Sequence, residues 1–354
     1  MPAQIAHLLF AEEALLRALG AKGEALLQRQ GGFLRFGSQG PDFFFHNQRL
    51  RPTGMRYGIA IHREGYGRLV SNLVREVRRR IGRQEESPSL EALKAFTLGF
   101  SAHPFLDRKT HPYIKYFSGW VEAGRGETRR YFRCHVFLER ILDVLLLEKR
   151  RKLEIRNYRL APLLHCGDQL PYALIKILVK ALHASYPLMR YKSRDRKRIE
   201  NAYREAQLFY MITEPSVPLY RRMAFQKDLS SLANRKLLTL FHPLRVPEGI
   251  DFLNLKKREW VHPCDDRLAS RSSFLELYEE ALAQAAPALA AVWETLAGNL
   301  QEAELEPLIG NGSLETGLDE QAPCTPRFSD PLPLPELIEE LYSSFEPRID
   351  PPGA

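Results

Sequence analysis

The chain has 354 residues, 44% of them hydrophobic and 27% charged, enough for one large globular unit or two moderate ones. Its net charge of +8 is uneven: from Gln301 to Ala354 twelve acidic residues stand against two basic ones, Arg327 and Arg348, so the body before them is strongly basic. A basic body either favours anionic partners (phosphate esters, anionic lipid headgroups, nucleic acid) or is a solvated surface. Four scattered cysteines, Cys134, Cys166, Cys264 and Cys324, form no C-x-x-C pair. That argues against a zinc ribbon, a redox dithiol and a disulfide scaffold, and fits a reducing compartment.

The stretch Ile5 to Phe10 is apolar but interrupted by His7, with no Lys or Arg before it and Glu12 and Glu13 directly after it. It is a poor signal peptide. No uncharged apolar run approaches the ~20 residues that span a bilayer. The expectation is a soluble, cytoplasmic protein.

Helical periodicity dominates. Residues 4–28 read as one helix. In 64–81, Leu69, Leu73, Val74, Val77 and Ile81 line one face, Arg78, Arg79 and Arg80 point elsewhere, and Gly82 is a stop. The next helix opens at Ser87-Pro88, a capping hydroxyl before a proline suited to the first helical position. It runs to about residue 103, where Pro104 should kink or end it. Further helices are expected over 127–152, 170–186, 195–213 and 216–236. Ser273 with Glu276 forms a capping box whose helix ends near Gly298, with Pro287 a bend. Residues 306–333 are rich in Pro and Gly and read as a linker or mobile loop, followed by a short amphipathic segment over 335–345. No series of alternating strands is present. The fold class is all-α, a multi-helix bundle. Residues 1–300 form its domain, with the metal-binding half in 1–150, and 301–354 an acidic linker with a short C-terminal helix.

The chemistry is concentrated in the first 140 residues. His103 and Asp107 are four apart, His111 is four further on, and His135 and Glu139 are again four apart. On a helix, residues i and i+4 share a face, so each pair can converge on one metal ion. Imidazole nitrogen and carboxylate oxygen are ordinary zinc donors. His135, Glu139 and Asp143 sit in an otherwise apolar helix, where burial demands either a metal or a polar network. Upstream, Phe36-Gly-Ser-Gln-Gly-Pro-Asp42 is a turn-rich stretch ending in a carboxylate. His46 follows, then His62 in Ile61-His-Arg-Glu-Gly-Tyr-Gly67. Taken singly, each of these is more often a turn or cap residue.

The order His7, Asp42, His62, His103-x-x-x-Asp107, His111, His135-x-x-x-Glu139 resembles the ligand series of bacterial zinc-dependent phospholipases C. That family shares an all-helical trinuclear-zinc core with the single-strand-specific zinc nucleases. The phrases Pro2-Ala-Gln-Ile-Ala-His7, Gly37-Ser-Gln-Gly-Pro-Asp42, His62-Arg-Glu-Gly-Tyr-Gly67 and Lys257-Arg-Glu-Trp260 are similar to those of the family, and the likeness covers about residues 2–140. It implies that His62, His103, Asp107 and Asp42 hold one zinc and that His111, His135 and Glu139 hold a second. A third site would use His7, Asp107 and the N-terminal residue. With Met1-Pro2 at the start, that site needs the amine of Pro2 or a water.

The implied activity is hydrolysis of phosphodiester bonds by metal-activated water, phospholipase C-like, with Asp42 as general base and two or three Zn2+ ions as cofactors. The substrate is a phosphoester, phospholipid included, with a transient contact to an anionic membrane surface among the expected partners. Nucleic acid or a small phosphoester is the alternative substrate. A non-catalytic helical binding protein, its His/acid pairs purely structural, is the reading from another class. No Gly-rich phosphate loop, G-x-S-x-G elbow or H-E-x-x-H motif competes.

Overall fold

The computed structural model describes residues 3–82, 88–189, 194–216, 236–318 and 324–343. They form a multi-helix all-α bundle whose sheet among the described residues is one antiparallel hairpin, β1 (Trp260–His262) with β2 (Asp265–Ser270). The helices run α1 (Gln4–Leu19), α2 (Ala21–Ser38), α3 (Met55–Arg63), α4 (Tyr66–Ile81), α5 (Pro88–Ser118), α6 (Cys134–Arg151), α7 (Leu160–Leu163), α8 (Tyr172–Ser185) and α9 (Asp195–Ile212). After the hairpin come α10 (Phe274–Ala297), α11 (Leu305–Ile309) and α12 (Leu334–Ser343). Among the described residues no helix is long and apolar enough to cross a membrane.

The central element is α5, packed against α1, α2, α4, α6 and α10. Its tightest neighbour is α2, and small residues set that crossing. A Cβ on Gly99 would lie 2.0 Å from the Leu34 carbonyl oxygen, and one on Gly37 would lie 2.3 Å from that of Phe96. The two backbones are therefore in contact, with no side chain between them.

Most expected helices are present, and the differences have local causes. The single helix expected over 4–28 is split at Gly20, which adopts φ 53° and turns the chain from α1 into α2. The helix expected over 127–152 begins as a short 3-10 turn, Gly126–Tyr131. Arg133, left-handed at φ 68°, then restarts the chain as α6. Proline 104 neither ends nor breaks α5, which continues through it and through Pro112. A helical proline leaves the carbonyl four residues earlier without its donor. Here that carbonyl is Phe100's, and the buried hydroxyl of Tyr66 donates to it at 2.7 Å.

The capping box of Ser273 with Glu276 and the stop at Gly298 are formed as expected, and α10 continues through Pro287. The Ser87 cap, most of the helix expected over 216–236 and the acidic end of the chain lie outside the described residues.

Two expectations are corrected. Residues 306–318 do not trail away as a linker. Asn311 and Gly310 accept the backbone N–H groups of Gly65 and Gly67, and Leu314 donates to the His62 carbonyl at 2.9 Å. Arg108 of α5 donates to the carbonyls of Ile309, Gly310 and Gly312. The polar, glycine-rich stretch makes these contacts through its backbone. The scattered cysteines also include a pair: Cys264 and Cys324 are joined as a disulfide, 60 residues apart in sequence with Cα atoms 5.4 Å apart, while Cys134 and Cys166 are buried and outside any disulfide. Spacing along the chain could not show a pairing created by the tertiary fold.

Substituting Gly99→Ala should force α2 and α5 apart and cost on the order of 3 kcal/mol. A chemical-denaturation midpoint unchanged from that of the parent protein would show that the helices are not in backbone contact.

Candidate metal centre

Because α5 stays helical through Pro104, His103, Asp107 and His111 stand one turn apart along a single face. Other elements bring the remaining groups to that face. Asp42 comes from the 3-10 turn Gly40–His46, His62 from the last turn of α3, His7 from the start of α1, and His135 and Glu139 from the first turns of α6.

The side chains alternate base and acid. His7 Nε2 lies 3.0 Å from Asp107 Oδ1, and His103 Nε2 lies 2.9 Å from Asp107 Oδ2 and 3.7 Å from Asp42 Oδ2. His62 Nε2 is 2.9 Å from the other oxygen of Asp42. On the far side, His135 Nε2 is 3.1 Å and His111 Nε2 3.5 Å from Glu139 Oε1. His111 is also 3.7 Å from Asp107, which links the two sides.

Two groups could each hold a metal ion: His7, Asp42, His103 and Asp107, and His111, His135 and Glu139. The second is the set expected from the sequence. The first differs in membership. His62, expected with Asp42, His103 and Asp107, stands at the edge and reaches Asp42 alone, whereas His7, expected at a separate third site, lies inside. Its ring stacks on that of His103, centroids 4.1 Å apart. Met1 and Pro2, the rest of the expected third site, lie outside the described residues.

Backbone contacts define which nitrogen of three of the rings faces inward. Nδ1 of His62 donates to Gly58 O at 2.8 Å, Nδ1 of His103 to Ser38 O at 2.9 Å, and Nδ1 of His111 to Leu314 O at 2.7 Å. A carbonyl can only accept, so Nδ1 carries the hydrogen, and a neutral ring then turns a bare Nε2 lone pair toward carboxylate oxygens. That arrangement repels unless a proton or a metal cation sits between. His103 Nε2, Asp42 Oδ2 and Asp107 Oδ2 are all buried without a hydrogen-bond partner, although His103 and Asp107 are only 2.9 Å apart. The donor atoms of this group all lie within 4.8 Å of one another.

Electrostatics agrees. Burial alone would raise the carboxyl of Asp107, but His103, His111 and His7 outweigh it and hold it well below the usual carboxylate range. Burial likewise opposes ionisation of Asp42 and Glu139, and the imidazoles beside them win. Burial opposes charge on His103, yet Asp107 and Asp42 raise its pKa. His135, by contrast, is lowered by burial.

The supporting contacts are long-range. Asp143, expected to need a metal or a polar network, caps α1 by accepting the Ala6 N–H at 2.7 Å, which fixes the helix start that carries His7. Its other oxygen faces His242 at 2.8 Å, and the fully buried Arg140 donates to Gln4. His242 and Leu314 carry no motif, so sequence reasoning misses both. Gly40, at φ 52°, leaves room for the site itself, since a Cβ there would lie 2.3 Å from His103 Cγ.

His46 joins neither group. Its ring stacks on Phe209, and burial together with Arg140 pushes its pKa down to about 3. Asp42, His62, His111 and His135 open into a cavity of about 380 Å³ whose wall includes Phe45, Trp120, Tyr131 and Phe132. Glu315 lines it too; burial raises its pKa, but Lys115, 3.0 Å away, brings it down to about 2. Comparison with known proteins gives no match: no family model, no curated protein and no solved structure matches the chain.

Gly40→Ala should displace the His103 ring and weaken metal binding by ~10–100-fold, the usual effect of disturbing a ligand's support. Competition against a chromophoric chelator measures it, and an affinity within about twofold of the parent's would contradict the assignment. A second expectation concerns pH. Burial opposes charge on metal-free His111, but Asp107 and Glu139 push its pKa up to about 9. Below that pH a metal must displace a proton, so apparent affinity should rise as pH climbs toward about 9 and fall on acidification. A flat profile between about pH 6 and 8 in the same competition assay would exclude that linkage.

Proposed function

We propose that the protein is a zinc-dependent hydrolase of phosphodiester bonds, similar in its ligand series to the bacterial zinc-dependent phospholipases C, with one zinc in each of the two groups. The observation that carries this reading is the convergence of Nε2 lone pairs and carboxylate oxygens on one face of α5, open to a cavity large enough for a phosphoester. Zinc bonds of ~2.0–2.2 Å put tetrahedral neighbours ~3.3–3.6 Å apart; the imidazole–carboxylate contacts within the groups run from 2.9 to 3.7 Å, and all donor atoms of a group lie within 4.8 Å of one another. His7, Asp42, His103 and Asp107 would hold the first ion; His111, His135 and Glu139 would hold the second. His62 would orient Asp42, which it contacts at 2.9 Å.

Bound zinc would supply Lewis-acid stabilisation of the phosphate and a water acidified toward neutrality. Asp42 lines the cavity and its depressed pKa keeps it ionised, which supports its reading as the general base toward water there. Arg133 and Lys115 on the cavity wall attract a phosphate group. Burial of the ligands excludes bulk water from all but the open side.

The aromatic wall of Phe45, Trp120, Tyr131 and Phe132 favours a second version of this reading, in which the leaving part of the substrate is a nucleobase-bearing group. The purified protein should hold about two zinc ions per chain by elemental analysis. It should cleave at least one of bis(p-nitrophenyl) phosphate, phosphatidylcholine and single-stranded DNA. His135→Ala with Glu139→Ala should lower that rate by ~100-fold or more while leaving helical circular dichroism intact. Less than about one metal per chain, together with stability insensitive to chelators, would instead favour a non-catalytic helical protein whose His/acid pairs are structural.

A further inference from the structure

A second cavity, of about 270 Å³, lies behind the metal-bearing end of α6, with Arg133 lining both it and the larger cavity. Into it faces His46, which is 8% exposed and has no hydrogen-bond partner on either ring nitrogen. Buried polar groups are normally satisfied, and leaving two ring nitrogens unmet is costly unless something else binds them. The ring is held in place by stacking on Phe209, centroids 4.2 Å apart at 23°, with Tyr210 edge-on.

Most of the charged groups around this cavity are cationic. Arg49 and Arg133 line it, and the buried guanidinium of Arg140 lies 5.8 Å from the centroid of the Phe209 ring, with Nε and Nη2 lacking partners. Glu205 is the one carboxylate among the described lining residues, and its oxygens are taken by Asn47 Nδ2 and the backbone N–H groups of Arg49 and Leu50. Apart from Gln48, the rest of the wall is apolar: Val136, Leu208, Ile212 and Leu240, besides Phe209.

We infer that this cavity is a second ligand site, separate from the metal centre, that takes a medium-chain carboxylate, its head on His46 and Arg133 and its alkyl chain against Leu208, Phe209 and Ile212. The size agrees: a cavity of about 150 Å³ accepts benzene, so one of 270 Å³ takes about ten non-hydrogen atoms, which is octanoate. Neither the metals nor any hydrolytic activity is needed for this binding.

Isothermal titration of the full chain with octanoate tests it, before and after treatment with a chelator. Octanoate should bind equally in both states, and octylamine or octan-1-ol at least about tenfold more weakly, the effect of losing a charged hydrogen-bond partner. His46→Phe retains the stacking ring but not its nitrogens, and Leu208→Trp fills the cavity from a side chain that is already 41% exposed. Each should weaken octanoate about tenfold or more without changing zinc content. No binding by the parent protein would overturn the inference, as would equal affinity for octylamine. Loss of binding on chelation would place the carboxylate at the metal centre instead. Should His46→Phe fail to fold, unaltered affinity in Leu208→Trp would be enough to reject the site.

Discussion

Three ligand-type side chains at i, i+4 and i+8 serve one centre only if the helix carrying them stays regular, and α5 contains a proline directly after the first. The Tyr66 hydroxyl decides the matter. By donating to the Phe100 carbonyl that Pro104 cannot reach, it removes a penalty of ~1–3 kcal/mol for an unpaired buried acceptor. His103 and Asp107 thereby remain one turn apart, and α5 keeps its full length against α1, α2, α4, α6 and α10. Glycine at positions 37 and 99 does the complementary work of letting α2 lie directly on that helix, which carries the Ser38 carbonyl to His103 and leads into the turn that holds Asp42.

Concentrating so many ionisable groups in a dry interior is unfavourable unless each charge meets its opposite. The centre meets this by alternation, with each of its buried carboxylates between imidazoles. The same alternation suits a metal ion, which would replace protons at the inward nitrogens. Outside the ring of ligands a different solution holds: Asp143 faces a helix N-terminus and His242, with Arg140 one turn away. Two carboxylates of one helix, Glu139 and Asp143, are four residues apart and do different work, one as a donor in the centre and one as a cap that positions His7.

The helices and the i, i+4 pairs were legible because both are local. Periodicity fixes which face of α4 or α5 is buried, and a spacing of four fixes which His meets which carboxylate. What was not legible depends on partners distant in sequence. Whether Pro104 breaks a helix turns on Tyr66, 38 positions earlier. Whether Gly310 and Gly312 belong to a linker turns on Arg108, about 200 positions away. The exchange of His62 for His7 in the first group is of the same kind, since the pairing of α1 with α6 through Asp143 leaves no trace in the spacing of either. Left-handed Arg133 had no signal either, being neither glycine nor asparagine.

The segment after α10 shows why the centre belongs to the whole chain. The residues that could hold metal all fall before residue 140, yet the Leu314 carbonyl fixes the tautomer of His111, and the backbone around Leu314 is in turn tied to His62, Arg108 and His262. The disulfide from Cys264 to Cys324 and the bonds from Arg327 and Phe328 to Pro263 hold the strand of chain that follows against the hairpin. A helical half carrying only residues 1–150 would contain every donor atom but not the contact that orients one of the two rings beside Glu139. Assembly of the second group therefore requires pairings separated by some 200 residues, which form late because loop closure over that length must precede any gain from them. The first group, built on α1, α2 and α5, draws on a distant contact too, the Asp143 cap that positions His7 from 137 residues away, so both halves of the centre are products of the tertiary fold.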